Sequence, residues 1–588
     1  MSFKRSVSAI LLSLLLIVSF TACSQDTESG SSSSSKGDTS SSLTAEPDAD
    51  MFTEEDLNQE VSPDAVKVTL DGKTLTVAKA GEYLISGSIK NGQIIVDSDK
   101  NSEIVLSLSG VNIEAKGTAA IYVKKAKKVT VTLADGSENI LTSKGEFQAD
   151  DTNLVDGAIF SKADLVINGK GSATITSEKG HGVVSKDNLL ITGGNCKVTS
   201  LGHAFSANDS LRVAGGDFQI TSDKDGFHAE NLADTTLGFF YACGGSYNIT
   251  AGSDGISASG YVKITGGDYT MKTGGGAAEG SKSQTVGHGF FDQQFMGTDD
   301  LSAKGIKSGT KMTLSGGKLS ADSADDALHS NDALVISGGS FDIKSGDDAV
   351  HAETDLEISG GKVNITESYE GLEATTITLS GGETYLTSSD DGINAAGGND
   401  QSGFGGGMRP DMFAPSDSFV KITGGKLCIN ASGDGIDSNG EIIVSGGETY
   451  VSGPTNSGNG AMDFGASAKI TGGIFVAAGA SGMAENFSLA ENQGAMLVTM
   501  GNISANTEFK LLDEKGKEII KHTFEKAFGS IVISCPEIKS GNTYTLKAGS
   551  TEKEIKMTSN LYGEGGGPGG GPDGFRPGGP DGFRPGRP

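Results

Sequence analysis

Acidic residues recur along this sequence at one position of a repeated turn. They are Asp225, Asp254, Asp326, Asp348, Glu370, Asp391 and Asp434. Three residues downstream of each lies a second column, which contains His228, Ser257, His329, His351, Glu373, Asn394 and Asp437. If the repeats stack like neighbouring β-strands, at about 5 Å, two such charges repel by about 3 kcal/mol even at an effective dielectric constant of about 20. Such a stack requires raised pKa values, solvent or a bound cation.

Two groups within these columns are candidates for a cation site. The first carboxylate group combines three consecutive repeats and consists of Glu370, Glu373, Asp391, Asn394, Asp434 and Asp437. The second carboxylate group, with His329 and His351 beside it, consists of Asp325, Asp326, Asp347 and Asp348. Clusters of hard oxygen ligands favour calcium, so we predict calcium at one of these groups at least. The alternative is that Asp, Asn and Gly recur because turns favour them, although a turn does not require an acid in repeat after repeat.

The same acids raise the question of catalysis. The fragments GDD (346–348) and GHG (180–182 and 287–289) resemble those of a polygalacturonase, and Asp347 with Asp348 would then be the two carboxyl groups of an inverting glycosidase. Both GHG triplets precede GDD, which is the wrong order for that family. A polysaccharide lyase would need a cationic base, and among the arginines only Arg212 lies in the regular repeats, with Lys304 and Lys307 nearest the acids. We therefore predict a protein that is not an enzyme and has no catalytic residues, with a lyase or polygalacturonase as the less favoured alternative.

Aromatic residues beside the acids indicate a sugar-binding face. Tyr385, Cys428 and Tyr450 occupy the same outward position in successive repeats, so two exposed rings would flank one repeat. Aromatic faces stack on sugar rings, and we predict Tyr385 and Tyr450 as ligand-binding residues. The alternative, that tyrosine occurs there for its strand propensity, stays open.

A repeated structural unit must position these residues. Eleven Gly-Gly pairs close short apolar strands, and six of the ten steps between them are 21 or 22 residues. The first glycines of the pairs are Gly193, Gly215, Gly244, Gly266, Gly316, Gly338, Gly360, Gly381, Gly424, Gly446 and Gly472. Apolar and polar residues alternate on both sides of each pair, and a third short strand follows the acidic turn, as in DDAVHA (347–352). We predict an all-β fold, a single-stranded parallel β-helix of about 22 residues per rung with a small C-terminal β-domain.

The composition agrees with a strand solenoid. The chain of 588 residues has 88 glycines, no tryptophan and 12 prolines, six of them at or after Pro568. A net charge of −29 argues against a nucleic-acid partner. We expect a monomer.

The N-terminus predicts the location of the protein. Lys4 and Arg5 precede an apolar run that ends in Phe20-Thr21-Ala22-Cys23, which resembles a bacterial lipoprotein signal with lipidation at Cys23. We therefore expect an extracytoplasmic protein that is anchored to the cell membrane by lipid. The alternative is an ordinary secretory signal with an incidental cysteine.

The predicted segments follow from these patterns. Residues 1–22 are a lipoprotein signal peptide, 23–48 a serine-rich tether, and 49–483 the parallel β-helix, with insertions at about 274–300 and 397–418. Residues 484–558 form a small β-domain that caps the open end, and 559–588 form a disordered tail rich in glycine and proline.

Several segments together resemble a known family. AGEYLISGSIKNGQIIVD (80–97), LSGVNIEAKGTAAIYVK (108–124), the ISGG repeats with DDAVHAE and DDGINA, and the FGGGMRPDMF insertion look like bacterial carbohydrate-binding domain-containing proteins, found especially in Clostridia. The resemblance covers roughly residues 60–480. It implies a right-handed, pectate-lyase-like β-helix that binds calcium and plant cell-wall polysaccharide, including polygalacturonate and cellulose, without established hydrolysis.

The residues and the resemblance lead to one expected function. We expect a cell-surface lipoprotein that binds acidic polysaccharide through calcium on stacked carboxylates. The alternative is a surface adhesin or structural protein in which calcium only stiffens the solenoid.

Overall fold

The chain folds almost entirely into β-strands that stack as parallel coils. A computed structural model describes residues 48–150, 153–282, 302–395 and 417–563. The predicted signal peptide with Cys23, nearly all of the tether, most of both insertions and most of the tail lie outside these ranges. Within them, the all-β prediction and the parallel stacking of the coils are confirmed.

Three ladders of parallel strands run along the solenoid. The short-strand ladder follows the acidic turn and consists of Leu75–Val77, Ile94–Asp97, Ile121–Lys125, Gly157–Ser161, His181–Ser185, Phe205–Ala207, Phe227–Ala229, Ile256–Ala258, Ile306–Ser308, Leu328–Ser330, Ile393–Ala395, Ile436–Ser438 and Asp463–Phe464. The pre-glycine ladder consists of Lys128–Leu133, Asp164–Gly169, Asn188–Ile191, Ser210–Val213, Phe239–Ala242, Val262–Ile264, Met312–Leu314, Leu334–Ile336, Phe419–Ile422, Glu441–Val444, Ser467–Ile470 and Leu489–Ala490. The post-glycine ladder consists of Glu138–Lys144, Ser172–Ser177, Asn195–Ser200, Asp217–Ser222, Ser246–Ala251, Asp268–Thr273, Lys318–Ser323, Ser340–Ser345, Lys362–Glu367, Glu383–Ser388, Lys426–Ala431, Glu448–Ser452 and Ile474–Gly479. Longer strands bend from one ladder into the next, and these are Gly81–Lys90, Glu103–Lys116, Val350–Ile358 and Leu372–Leu379. The first strand, Val66–Asp71, pairs with Gly81–Lys90.

The register between coils places equivalent residues on top of one another. Leu328 pairs with Val350, and Val350 pairs with Leu372. Their side chains belong to the apolar core, whereas the residue that follows each of them in sequence (His329, His351 or Glu373) is polar and lies outside that core. Alternation along each strand therefore fixes which column faces the interior and which faces outward.

Each Gly-Gly pair makes a turn that other residues would disturb. The second glycine lies in the left-handed region, with φ of 97° at Gly339. In most of the pairs the first glycine packs closely against the coil before it, and a Cβ on Gly338 would lie 2.4 Å from the carbonyl oxygen of Ser315. The pair therefore recurs for two different physical reasons, backbone conformation and close approach.

Alanine at the second glycine tests this explanation. We expect Gly339→Ala to lower the free energy of unfolding by about 1–3 kcal/mol, since it forces a Cβ into a strained conformation. Gly458→Ala is the control, because a Cβ on Gly458 would lie 3.4 Å from its nearest neighbour, Asn456 Oδ1, and the φ of Gly458 is not left-handed. Urea unfolding of both variants measures the difference, and equal losses would contradict the explanation.

The interior is a continuous apolar core with aromatic stacks. Phe205 stacks on Phe227 with ring centroids 4.9 Å apart, and Tyr247 stacks on Tyr269 at 4.2 Å. Cys196 is buried in the same core. Columns of large side chains, stacked from coil to coil, thus fill the interior of the solenoid.

The C-terminal end changes from parallel to antiparallel pairing. The last coil strand, Ile474–Gly479, pairs antiparallel with Phe528–Cys535, which also pairs with Gly494–Ile503. A separate antiparallel sheet lies beyond it and consists of Thr507–Leu512, Glu518–Phe524, Thr543–Ala548 and Thr551–Lys556. The short strand Leu561–Tyr562 adds to Gly494–Ile503, and a small hairpin joins Ala149–Asp150 to Asn153–Leu154. The exposed strand edge of the last coil is thereby paired.

An N-terminal segment, residues 48–60, crosses the outside of the pre-glycine ladder. Asp48 N donates to the Tyr241 hydroxyl at 2.8 Å, and the Arg212 guanidinium donates to Met51 O at 2.8 Å. The segment contains the short helix Glu54–Leu57, and the other helical turn is Ala277–Glu279. Among the residues that the structure describes, no helix is long and apolar enough to cross a membrane.

Candidate functional site

The acidic column lies at the turn before the short-strand ladder and joins successive coils. Asp225 Oδ1 accepts a hydrogen bond from Asp254 N at 3.0 Å, and Asp254 Oδ1 accepts one from Lys304 N at 2.8 Å. Further along, Asp391 Oδ1 accepts one from Asp434 N at 2.5 Å. These carboxylates satisfy backbone groups of the next coil, a structural role that turn propensity does not explain.

A lysine interrupts the acidic column. Because Ile256 pairs with Ile306, Lys304 lies at the position equivalent to Asp254. Its Nζ is 2.9 Å from Asp325 Oδ2 and 2.7 Å from Asp326 Oδ2. Burial alone would lower the pKa of Lys304, but the charges of Asp326 and Asp325 outweigh it and raise the pKa. The second carboxylate group therefore contains its own cation.

Histidine and lysine compensate the rest of the second group. Lys282 Nζ is 3.2 Å from Asp347 Oδ1. His351 Nδ1 lies 3.2 Å from Asp348 Oδ2 and 3.0 Å from Glu373 Oε2. Burial would lower the pKa of His351, but the two carboxylates raise it to about 11.

This compensation limits the calcium prediction for the second group. Its acids do converge, since ligand atoms of Asp325, Asp326 and Asp347 lie within 4.8 Å of one another. The argument from uncompensated repulsion does not apply to them, however, because Lys304, Lys282 and His351 supply positive charge. Calcium at Asp325, Asp326, Asp347 and Asp348 therefore stays a prediction. It also stays a prediction for the first group, where, among the described residues, only Glu373 belongs to a set of ligand atoms that lie this close together, with Asp348 and His351.

The first carboxylate group lacks such compensation except at Glu373, whose Oε2 lies 3.0 Å from His351 Nδ1. Within the described residues, Glu370, Asp391, Asp434 and Asp437 form no ion pair with a basic side chain. Burial, with the charges of Asp434 and Glu370, raises the pKa of Asp391 to about 9. Burial, with the charge of Asp434, also raises the pKa of Asp437 to about 7. Without a cation, these acids therefore retain protons that solvent-exposed carboxyl groups would release.

Asn394 points to a missing partner within the first group. Its side chain is 8% exposed and its Nδ2 donates to Glu370 Oε2 at 2.9 Å. Its Oδ1 is buried and has no hydrogen-bond partner among the described residues. A buried carbonyl oxygen without a donor is costly, and the carboxylates that surround it offer none when ionised. Carbonyl and carboxylate oxygens together form a donor set that suits calcium.

Two further acids extend this group beyond the sequence-based prediction. Asp463 pairs with Asp437 in the next coil, and its charge helps to raise the pKa of Asp437 and Asp434. Burial, followed by the charge of Asp463, raises the pKa of Glu485 to about 7, and Glu485 Oε2 is buried without a partner among the described residues. Continuing the second column by one coil into AMDF (461–464) would have found Asp463. Nothing in the repeat indicates Glu485, which follows the last regular strands.

The predicted sugar-binding face is covered at Tyr450. The prediction that the Tyr450 ring is exposed is therefore wrong. Tyr450 is only 6% exposed, and its ring stacks on His522 of the C-terminal domain with centroids 4.5 Å apart. Tyr385 is partly buried, and Lys362 and Lys426 lie 5.7 and 5.5 Å from its ring centroid. The C-terminal domain packs on the post-glycine ladder at this point and covers the outward column.

Two of the residues considered for catalysis, Arg212 and Asp348, make other contacts. Arg212 lies on the pre-glycine ladder, where its guanidinium binds Met51 O, Asn188 Oδ1 and Ser210 Oγ. Asp348 is buried against His351. The described residues thus show no free arginine beside the acidic columns.

Comparison with known proteins supports a carbohydrate-related family. Residues 71–349 match the family model described as "Carbohydrate-binding domain-containing protein". A protein with the same description from Acetivibrio thermocellus is 33% identical over 201 residues, which are 34% of this chain and 66% of that protein. The chain therefore spans just under two thirds of that relative's length.

A solved structure is also similar in sequence. It is described as a polysaccharide lyase-like protein from C. thermocellum, gadolinium derivative, and is 33% identical. The match covers 36% of this chain and 91% of that one, with a TM-score of 0.34.

Proposed function

We propose that this chain binds an acidic, polygalacturonate-like polysaccharide through calcium, since residues 71–349 match the model of the carbohydrate-binding domain-containing protein family. The family supports a polysaccharide partner. The choice of an acidic ligand rests on the carboxylate columns, and the first carboxylate group lies beyond the matched segment. Anchoring to the cell membrane through lipid on Cys23 is part of the same proposal.

One observation carries the metal proposal. The Asn394 carbonyl oxygen is buried without a donor beside carboxylates whose pKa values are raised. Asn394, Asp437, Glu370 and Asp391 have the oxygen ligands that calcium prefers. A bound calcium ion would supply positive charge to which a uronate carboxylate can bind. The protein's own acids, which would otherwise repel that ligand, would then hold the ion that attracts it.

A pulldown on insoluble polygalacturonate tests the proposal. We expect the full chain to be retained with calcium and released by EGTA, because the ion is the bridge between two acidic partners. Asp391→Asn with Asp437→Asn should abolish calcium-dependent retention, since both ionised ligands become neutral amides. Asp217→Asn is the control, because Asp217 is exposed on the post-glycine ladder away from the columns.

The same experiment distinguishes the proposed function from a structural alternative. The carboxylates of the acidic column accept hydrogen bonds from backbone N–H groups of the next coil, which favours a protein in which calcium only stiffens the solenoid. That alternative predicts no retention in calcium, while calcium still raises the midpoint of thermal unfolding. Release of unsaturated uronides or reducing ends would instead indicate an enzyme and overturn both proposals.

A further inference from the structure

Three histidines stack at the start of the acidic column, a feature that the proposed function does not use. The rings of His181 and His203 are parallel with centroids 5.0 Å apart, and those of His203 and His228 are 4.0 Å apart. His181 and His203 occupy the column positions that acids occupy in later coils, because Val183, Phe205 and Phe227 pair in register. The backbone N–H of His203 donates to His181 Nδ1 at 2.9 Å.

Two of these imidazoles converge on one carboxylate oxygen. Asp225 Oδ2 lies 2.7 Å from His228 Nδ1 and 3.2 Å from His203 Nδ1. The backbone N–H of Asp225 also donates to His203 Nδ1 at 3.2 Å. If His203 Nδ1 accepts from this N–H, the nitrogen is unprotonated, and the same lone pair is the one that a metal ion would bind. A cation between the three atoms would also offset the negative charge of Asp225.

We propose that His203 Nδ1, His228 Nδ1 and Asp225 Oδ2 bind a divalent transition metal ion such as zinc. One ligand atom from each of these three residues lies within 4.8 Å of those of the other two. Ligand atoms at about 2.0–2.2 Å from a tetrahedral zinc ion are about 3.3 Å apart, close to the 3.2 Å separation of His203 Nδ1 from Asp225 Oδ2. The 2.7 Å pair must widen by about 0.6 Å as the ion replaces the proton between its atoms.

The ligand types select against calcium at this place. Two imidazoles and one carboxylate favour zinc, cobalt, nickel or copper, whereas calcium requires a larger number of oxygen ligands. The side chains of His203 and His228 are 14% and 20% exposed, so an ion can reach them from solvent.

The cluster of Asp326 and His329 differs because it already contains a lysine. Asp326 and His329 repeat the same pairing at 2.8 Å, but Lys304 Nζ lies 2.7 Å from the same oxygen, Asp326 Oδ2. Asp225 forms its ion pairs, among the described residues, only with His203 and His228. His329→Asn is therefore a matched control, since it removes an equivalent ring from a cluster that already holds a cation.

Cobalt binding by the full chain, purified without a histidine tag, tests the proposal. We expect one Co²⁺ per chain with visible absorption bands, displaced by Zn²⁺ but not by excess Ca²⁺. His203→Asn with His228→Ser should lose the bands, and His329→Asn should keep them. Serine is already present at the equivalent position of the next coil, Ser257, so it suits this column.

If His203→Asn with His228→Ser fails to fold, a second measurement still tests the proposal. Zn²⁺ should raise the unfolding midpoint of the wild type but not that of Asp225→Asn, which keeps an oxygen for Asp254 N. Absence of cobalt bands in the wild type, or an equal zinc effect in Asp225→Asn, would overturn the proposal. Polysaccharide retention in calcium should be unchanged in His203→Asn with His228→Ser, which separates this site from the proposed function.

Discussion

In the presence of a chelator, the protein is expected to lose stability as the pH rises from about 4 to about 9. The acids of the first carboxylate group have pKa values raised above the ordinary 3.8, to about 9 at Asp391 and about 6 at Asp434. Above pH 3.8 the unfolded chain therefore releases protons that the folded chain retains. Folding then becomes less favourable with rising pH. The shift of Asp434 alone corresponds to about 3 kcal/mol.

Calcium should reverse this trend. A bound ion replaces the retained protons, so its stabilising effect should increase with pH across the same range. Asp391→Asn should be more stable than the wild type at pH 8 in chelator, because the amide resembles the protonated acid and keeps an oxygen for Asp434 N. Urea unfolding at a series of pH values, with EGTA or calcium, measures both effects. A flat profile in EGTA would contradict the raised pKa values.

Lys304→Met is expected to destabilise the protein by about 3–5 kcal/mol at neutral pH. The substitution leaves Asp325 and Asp326 with an uncompensated charge, and the Asp326 side chain is only 5% exposed. Lys307→Met is the control, since Lys307 lies on the outward second column and forms no ion pair among the described residues. Denaturant unfolding of both variants gives the difference.

Two additions sharpen the Lys304 experiment. Asp326→Asn in the Lys304→Met background should recover most of the lost stability, because it removes the unpaired charge while its oxygen can still accept from Asp348 N. Calcium should restore stability to Lys304→Met if the second carboxylate group can hold the ion in place of the lysine. A loss equal to that of Lys307→Met would show that the ion pairs contribute nothing.

The periodic features of the molecule could be predicted from the sequence. The Gly-Gly pairs and the strand after each acidic turn have the predicted secondary structure, as at Val350 and Ile393. The need for raised pKa values follows from stacking like charges, and Asp391 shows it. These features depend only on contacts between neighbouring coils, and the spacing of the sequence repeat shows which residues make those contacts.

The features that could not be predicted from the sequence lie where the repeat is interrupted or ends. Lys304 follows a long insertion, so counting residues does not place it opposite Asp254, whereas the strand register does. The burial of Tyr450 depends on the C-terminal domain, which has no repeat from which its docking face could be read. His203 is not acidic, so the acidic column appeared from the sequence to begin only at Asp225.

The N-terminal segment has a consequence for the order of events during synthesis. Its contacts reach Tyr241 and Lys263, which follow Asp48 by 193 and 215 residues. At about 5–20 residues per second, a ribosome needs roughly 10–40 s to make that intervening chain. Neighbouring coils can pair as soon as each emerges, but residues 48–60 must wait for partners that do not yet exist. The early coils therefore have to persist without this segment, and it docks on a surface that is already built.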